Sequence, residues 1–412
     1  MRVGLLTQWY APEPGPARLP TLLAEGLVAR GHDVTVVTGF PNYPSGVVEA
    51  GYHVRPCKVE GAPPLTVRRV ALYPSHDESP ARRLANYASF GASAAALGTS
   101  AFRDIDALWV NYSPVTVAGA MWAARALYRV PSVVHVLDLW PDTMMASGQG
   151  GSGAVARAAG RSVSWWCNRM YASAHSVAYI SPGVGRVLGA RGVPEEKLEY
   201  VPMWADEGVF RPSTDNMRDE LGISQARVVV LYAGALGEAQ GLEAVIDACA
   251  LIDDPSFLLL VAGSGSAEDR LKERATPLGD RVRFLGRVPG DRMTALTATA
   301  DAALVSLNPH PLSDITMPSK TQANLAAGKP LVVAAGGDVA EVARRSGAAF
   351  IAADRTPNAI AAALGDAVAS RRVGLAALGT VASAYYRETF SYDRGVSRVE
   401  ALLHEAANRA SR

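Results

Sequence analysis

Residues 227–248 read RVVVLYAGALGEAQGLEAVIDA. An apolar run rich in valine gives way to a turn with glycine at 234, 237 and 241, and then to a helical pattern. A strand that is apolar on both faces has to be covered on both faces, which is the condition of a parallel sheet. The same unit recurs. RVGLLT, DVTVVTG, LTVRRV, ALWVNY, SVVHVLDL and SVAYIS precede it, and FLLLVAGSG, RVRFLGRV, AALVSL, PLVVAAG and AAFIAA follow. Six strands, an interruption and six more predict an α/β chain of two doubly wound Rossmann-like domains rather than one closed barrel. The interruption is VPMWADEGVFRPS, residues 201–213. The expected division is a first domain at 1–203, a linker at 204–212, a second domain at 213–385, and a terminal segment at 386–412. That last segment is an amphipathic helix with Val396, Val399, Leu402 and Leu403 on one face, expected to pack across the domain boundary. Ligands of such sheets bind beyond the carboxyl ends of the strands, so a cleft between the domains is the expected site.

The 412 residues exceed one ordinary core. A formal net charge of +1 argues against a nucleic-acid binder that works by bulk charge. Cys57, Cys167 and Cys249 share no metal-ligand or disulfide spacing, which predicts no metal site and fits a reducing cytosol. The first residues read as a strand rather than a secretion signal, and no window is long and apolar enough for a transmembrane helix.

The loops carry the chemistry. QWYAPEPGPARLP joins the first strand to the first helix; Gly15 would let backbone approach a ligand, and Arg18 stands near the helix start. The loop lacks GxGxxG, which argues against a dehydrogenase. Gly234, Gly237 and Gly241 leave backbone N–H groups accessible to a phosphate, and the GSGSAEDRL turn, with Gly263 and Gly265, repeats the theme more weakly. SVVHVLDLWPDT puts Asp138 at a strand's carboxyl edge, followed by Trp140, while His135 reads as a core histidine. SDITMPSKTQANLAAGKP, residues 313–330, opens a helix at Ser319 and Lys320 behind Pro318, where free N–H groups make either an anion site or merely a capped surface helix.

The order of these motifs resembles a family-4 glycosyltransferase of the GT-B fold over nearly the whole chain, and within it the branch of fucosamine and colanic-acid transferases. PGPAR, RGHDVTVVTGFPNYP, DLWPD, ISPGVGRVLGARGVPEEKLEYVPMWADEGVF, GALGEAQGLEAVIDA and MPSKTQANLAAGKPLVVAA carry the resemblance. It implies a retaining, metal-independent transfer of sugar from a UDP- or GDP-linked donor, with no cofactor. The resemblance makes Lys320 and Ser319 the diphosphate holders, helped by Arg18 and by backbone at Gly15 and Gly234, Ala235, Leu236 and Gly237 beside Gln240. The base would rest near Gly263, Gly265, Leu285 and Arg287. Asp314 would touch the donor sugar, and Asp138 would orient the acceptor or stabilise the developing positive charge. Asn42 and Tyr43 in FPNYPSG, Arg82 and Tyr87 in SHDESPARRLANYASF, and Trp140 are the candidate acceptor contacts. The acceptor expected is a natural-product intermediate or a lipid-linked saccharide, the latter implying a peripheral site on the inner membrane face. The family's Glu-x7-Glu positions fall on Ile315 and Ala323, and the usual Arg and Lys of the glycine loop are Ala235 and Gln240. These departures keep a non-catalytic nucleotide-sugar-binding subunit in view, and a second alternative, a nucleotide-sugar epimerase, shares the fold although no motif here matches it.

Overall fold

The computed structural model describes residues 1–75, 79–146 and 154–410. Two compact units form, Met1–Pro202 with Gly395–Arg412, and Met203–Arg394.

The first unit is built on eight strands: β1 (Arg2–Leu6), β2 (Asp33–Gly39), β3 (Cys57–Ala62), β4 (Leu65–Val70), β5 (Ala107–Asn111), β6 (Ser132–Val136), β7 (Ser176–Tyr179) and β8 (Leu198–Tyr200). Their order is β3-β4-β2-β1-β5-β6-β7-β8. Helices α1 (Leu19–Ala29), α2 (Pro80–Ser93), α3 (Ala118–Tyr128), α4 (Asp142–Ala146), α5 (Ala154–Ser173) and α6 (Pro182–Ala190) complete the α/β alternation. The six apolar runs are all strands, and β5 and β6 are buried along their whole length. Each fully buried Val or Leu there contributes roughly 1.5–3 kcal/mol. Two strands escaped the apolar reading. β3 runs antiparallel to β4 and is mostly exposed. An edge strand with a solvated face needs no apolar run, and here charge holds it instead: Lys58 and Arg69 both pair with Glu60 at 2.8 Å. β8 is only three residues long at the opposite edge.

The second unit is a six-stranded parallel sheet: β9 (Val228–Ala233), β10 (Phe257–Ala262), β11 (Val282–Gly286), β12 (Ala302–Ser306), β13 (Leu331–Ala334) and β14 (Ala349–Ile351), ordered β11-β10-β9-β12-β13-β14. The chain winds outward from β9 through β10 to β11, then returns to β12 on the other side of β9. The switch point therefore lies between β9 and β12, where open α/β sheets bind ligands. Its helices are α7 (Leu242–Ala250), α8 (Glu268–Ala275), α9 (Met293–Thr299), α10 (Ser319–Ala326), α11 (Gly337–Ser346), α12 (Pro357–Ala369) and α13 (Arg371–Thr389).

Residues 204–212, expected as a linker, pack within the second unit: Trp204 and Ala205 are buried, and the Ala205 N–H donates to the Tyr386 hydroxyl at 3.0 Å. The final helix, α14 (Tyr392–Ala410), belongs from Gly395 to the first unit. Val396, Val399, Leu402 and Leu403 are buried, and Glu400 accepts from Arg30 and pairs with His32, each at 2.6 Å. Among the described residues no helix is long and apolar enough to cross a membrane.

Candidate active site

At the carboxyl edge of the second sheet, the expected donor loops are joined by backbone. Gly234 N–H donates to Ala262 O at 2.9 Å, Leu236 N–H to Ser264 O at 3.0 Å, and Gly263 N–H to Gly286 O at 2.8 Å. The ends of β9, β10 and β11 thus form one ledge. Gly263 sits at φ +138°, and a Cβ there would lie 1.8 Å from Gly234 O; one on Gly265 would lie 2.5 Å from Leu236 O. These two glycines permit loop-to-loop contact, a structural task distinct from direct approach to a base. The N–H groups of Gly234 and Leu236 are committed to that contact, and the Leu236 side chain is core. Ala235 and Gly237 keep N–H groups without such partners among the described residues, and nothing stands within 4 Å of a Cβ built on Gly237. Asn308, after β12, ties down the loop's far end through its N–H to Ala239 O (2.9 Å) and its amide to Glu238 O. A cavity of about 330 Å³ flanks that end, lined by Gly237, Glu238, Arg270 and Asn308 among others. Arg270 is already met there by Glu243 at 2.5 Å. Leu285 is half-buried near the end of β11, and Arg287 is exposed just beyond the strand.

Lys320 lies across the switch point, in the first turn of α10. Pro318 is the N-cap and brings no side-chain cap, so the first N–H groups at Ser319 and Lys320 face outward with the helix dipole behind them. Ser319 is exposed. The Lys320 amine is buried and has no hydrogen-bond partner among the described residues; it lies 3.8 Å from the centroid of the Tyr232 ring, and a Cβ on Gly234 would come within 2.8 Å of it. Burial pushes its pKa down to about 7.

Asp314 is half-exposed, and its carboxylate is held by Arg355. Its carbonyl accepts the Asp338 N–H at 2.8 Å, bringing it to the start of α11. Arg355, forty-one residues away, has no sequence signal linking it to Asp314. Ala323 is buried on α10 and Ile315 half-buried, so neither position presents a carboxylate.

In the first unit a pocket of about 210 Å³ is lined by Trp9, Arg83, Tyr87, Ser113, Asp138 and Trp140 among others. Trp9 makes edge contacts with Tyr43 (6.4 Å) and Tyr87 (6.5 Å), and Tyr87 with Trp140 (6.1 Å), a continuous aromatic wall. Asp138 follows β6; it accepts from the Ser113 hydroxyl at 2.9 Å, and desolvation pushes its carboxyl up against that bond. Desolvation likewise raises the Tyr87 phenol, opposed by Arg83 and reinforced by Asp138. Of the expected acceptor contacts, Tyr43, Tyr87 and Trp140 share this wall, whereas Arg82 is exposed outside the pocket lining. Asn42 is buried, and its amide donates to Phe40 O at 2.9 Å. Residues 76–78 of SHDESPARRLANYASF lie outside the described residues. Gly15 and Arg18 form one short turn into α1, with Gly15 at φ +66° and Arg18 exposed at the helix N-cap.

Trp9 and Ser113 were not singled out for the pocket, nor was Glu13; Arg83 lies in SHDESPARRLANYASF, the segment expected beside the cleft. Buried between two prolines, Glu13 accepts the N–H groups of Tyr10 (3.0 Å), Asn42 and Tyr43 (both 2.9 Å), fixing the first loop to FPNYPSG. His135 is core: its Nε2 meets Val201 O at 2.9 Å, and burial lowers its pKa to about 4.

The family described as "Glycosyl transferase 4-like domain" matches residues 15–204, and "Glycosyl transferases group 1" matches 227–370. A protein of Escherichia coli K12 named as a colanic acid biosynthesis glycosyl transferase, WcaI, is 28% identical over 341 residues, covering 79% of this chain and 81% of its own. Sucrose-phosphate synthase from Thermosynechococcus elongatus superposes with a TM-score of 0.73 at 18% identity, covering 98% of each chain. HepE from Anabaena, solved with UDP-glucose, gives 0.66 at 18% identity, covering 100% of this chain and 99% of its own. Two glycosyltransferase domains in this order, each on its own doubly wound sheet, place the chain among the family-4 glycosyltransferases of GT-B fold.

Proposed function

We propose that the protein transfers a sugar, with retention of anomeric configuration, from a nucleoside diphosphate sugar to an acceptor seated in the first unit's aromatic pocket. The observation that carries the donor reading is Lys320: a buried amine with no hydrogen-bond partner, in the first turn of α10 and against the Gly234 loop. A diphosphate supplies the charge that this amine lacks, and the N–H groups of Ala235, Gly237, Ser319 and Lys320 supply donors for its remaining oxygens. In the transfer, the bond from the anomeric carbon to the diphosphate oxygen breaks while the acceptor atom bonds on the same face. The acceptor's proton passes to the departing phosphate oxygen. Lys320 offsets the charge that grows on that oxygen, and this is the largest electrostatic demand of the step. Asp138 accepts a hydrogen bond from the acceptor and orients it; Asp314, steadied by Arg355, addresses the donor sugar.

With the diphosphate's charge met by Lys320 and a helix N-terminus, the reaction proceeds without a metal ion. Calorimetric titration with UDP and GDP, repeated in EDTA, tests this. Binding of one nucleotide that survives EDTA is expected; binding abolished by EDTA overturns the metal-independent reading, and no binding of either overturns the donor reading.

The acceptor pocket favours transfer over epimerisation, which needs no second substrate. Its ring wall suits the apolar face of a sugar or a flat natural product. A lipid-linked acceptor is favoured by the exposed face of α5, where Trp165 (61% exposed) stands between Arg161 and Arg169, one turn away on either side. Cosedimentation with anionic vesicles that is lost in Trp165→Ala supports the lipid-linked acceptor; no cosedimentation favours a soluble one.

A further inference from the structure

Two lysines bracket the α10 segment, both half-buried, and desolvation lowers the pKa of each amine. Lys329 donates to Ala300 O at 2.6 Å. Lys320 has no such acceptor; what lies against it is the face of Tyr232 at 3.8 Å. The Tyr232 hydroxyl in turn donates to Ala235 O at 2.6 Å and reaches Gln240 Oε1 at 3.4 Å. One buried side chain at the end of β9 therefore touches the Lys320 amine and both arms of the Gly234–Gly241 loop. A ring face offers an ammonium attraction but no lone pair. A phosphate oxygen offers both, so a diphosphate outcompetes the ring for the amine.

We propose that Tyr232 is a positioning residue: its ring holds the Lys320 amine in place while the site is empty, its hydroxyl braces the glycine loop, and an arriving diphosphate takes over the amine together with a proton from solvent. The inference rests on the donor reading above and adds to it how the charge is kept ready. Burial alone lowers the Lys320 pKa to about 7, and no carboxylate or cation contributes to that shift. Tyr232 from β9 is the titratable group facing the amine, and burial drives its phenol far above its ordinary range, so it stays protonated. With no anion near, part of the amine is neutral around neutral pH. A bound diphosphate favours the charged form, so the proton is drawn onto Nζ from bulk water.

The test is calorimetric titration of the full chain with UDP and GDP at pH 8, in two buffers of different ionisation enthalpy, for the unaltered protein, Tyr232→Phe and Tyr232→Leu. The unaltered protein is expected to take up a fraction of a proton per nucleotide. Tyr232→Phe keeps the ring and the proton uptake and binds a few-fold more weakly. Tyr232→Leu keeps the amine among apolar atoms but removes the ring's attraction for the ammonium, so proton uptake rises toward one per nucleotide and binding weakens about tenfold, the equivalent of about 1.4 kcal/mol. Wild-type affinity and proton count in Tyr232→Leu overturn the inference while leaving the donor reading standing. No nucleotide binding by the unaltered protein overturns both. Should Tyr232→Leu not fold, acetylation of Lys320 against pH, followed by mass spectrometry without nucleotide, decides for the unaltered protein. A midpoint well below that of an ordinary lysine supports the inference, and a midpoint at the ordinary lysine value overturns it.

Discussion

At the carboxyl edge of the second sheet, loops from three strands are joined N–H to carbonyl, glycine by glycine, and Lys320 brings against them a buried amine with no hydrogen-bond partner among the described residues. Beyond the first sheet the pocket is made of side chains instead: rings from Trp9, Tyr87 and Trp140, and one carboxylate from Asp138. The contrast follows from what each would hold. A diphosphate presents the same oxygens whatever sugar it carries, so fixed backbone donors and one cation suffice. An acceptor differs from enzyme to enzyme and is recognised by shape and by apolar area, which side chains provide. Substitutions in the second unit should therefore act on turnover with any acceptor, and those in the first unit's aromatic wall on one acceptor's KM.

The largest effect is expected from Lys320→Ala. Losing the cation that meets the departing diphosphate should lower kcat by about 10²–10³-fold. The melting temperature should hold or rise, since an amine buried without a hydrogen bond no longer has to be accommodated. A kcat near wild type would remove Lys320 from the chemistry. Asp138→Asn comes next, with a loss of about 10²-fold in kcat, because the carboxylate that accepts the acceptor's hydrogen bond and orients it is gone. Desolvation raises the Asp138 pKa, so the wild-type rate should fall as pH drops through a value above the ordinary carboxylate range. That acid limb should vanish in Asp138→Asn; an unchanged limb would assign it to another group.

The backbone construction of the second unit makes its own prediction. Gly263→Ala places a Cβ 1.8 Å from the Gly234 carbonyl, and backbone cannot swing aside as a side chain can. With the strain of φ +138° added, the substitution should cost about 2–3 kcal/mol and lower nucleotide affinity with it. Gly237→Ala, with nothing within 4 Å, should leave the melting temperature unchanged. Equal destabilisation by the two would mean that the ledge is not held by backbone contact. Tyr87→Ala in the first unit should raise acceptor KM about five- to tenfold and leave donor binding untouched; a matching loss of nucleotide affinity would blur the division between the two sites.

What could be read in the sequence follows the same contrast. Twelve strands were visible because residues such as Val228, Val230 and Leu258 are buried between two layers and have to be apolar. β3 was not, because an edge held by Glu60 and Arg69 needs no apolar run. The glycine loops and Lys320 stand out because backbone geometry admits few residue types there. Tyr232 stayed hidden because it looks like any aromatic in a buried strand, and its role appears only when α10 is brought against it. Trp9, Ser113 and Asp138 come from three separate loops, and Asp314 meets Arg355 across forty-one residues. A single sequence carries no periodic trace of such meetings.

Glu13→Gln tests whether the first unit's loops depend on a side chain as the second unit's depend on backbone. The carboxylate accepts three N–H groups; an amide in its place turns one acceptor into a donor, and its NH₂ would face either the Tyr10 N–H or those of Asn42 and Tyr43. A loss of about 1 kcal/mol is expected, with a small rise in acceptor KM through Tyr43 and no change in nucleotide binding. The pH dependence fixes the balance of forces. Burial raises the Glu13 pKa more than its three hydrogen bonds lower it. The folded state then binds the proton more tightly than the unfolded chain does, so wild-type stability falls as pH rises from the ordinary carboxylate range through the raised value. The variant lacks that component, and its deficit in urea unfolding should narrow across the same window. A deficit that widens with pH would show that the three N–H groups outweigh burial and that the carboxylate is held in its charged form from acid pH upward.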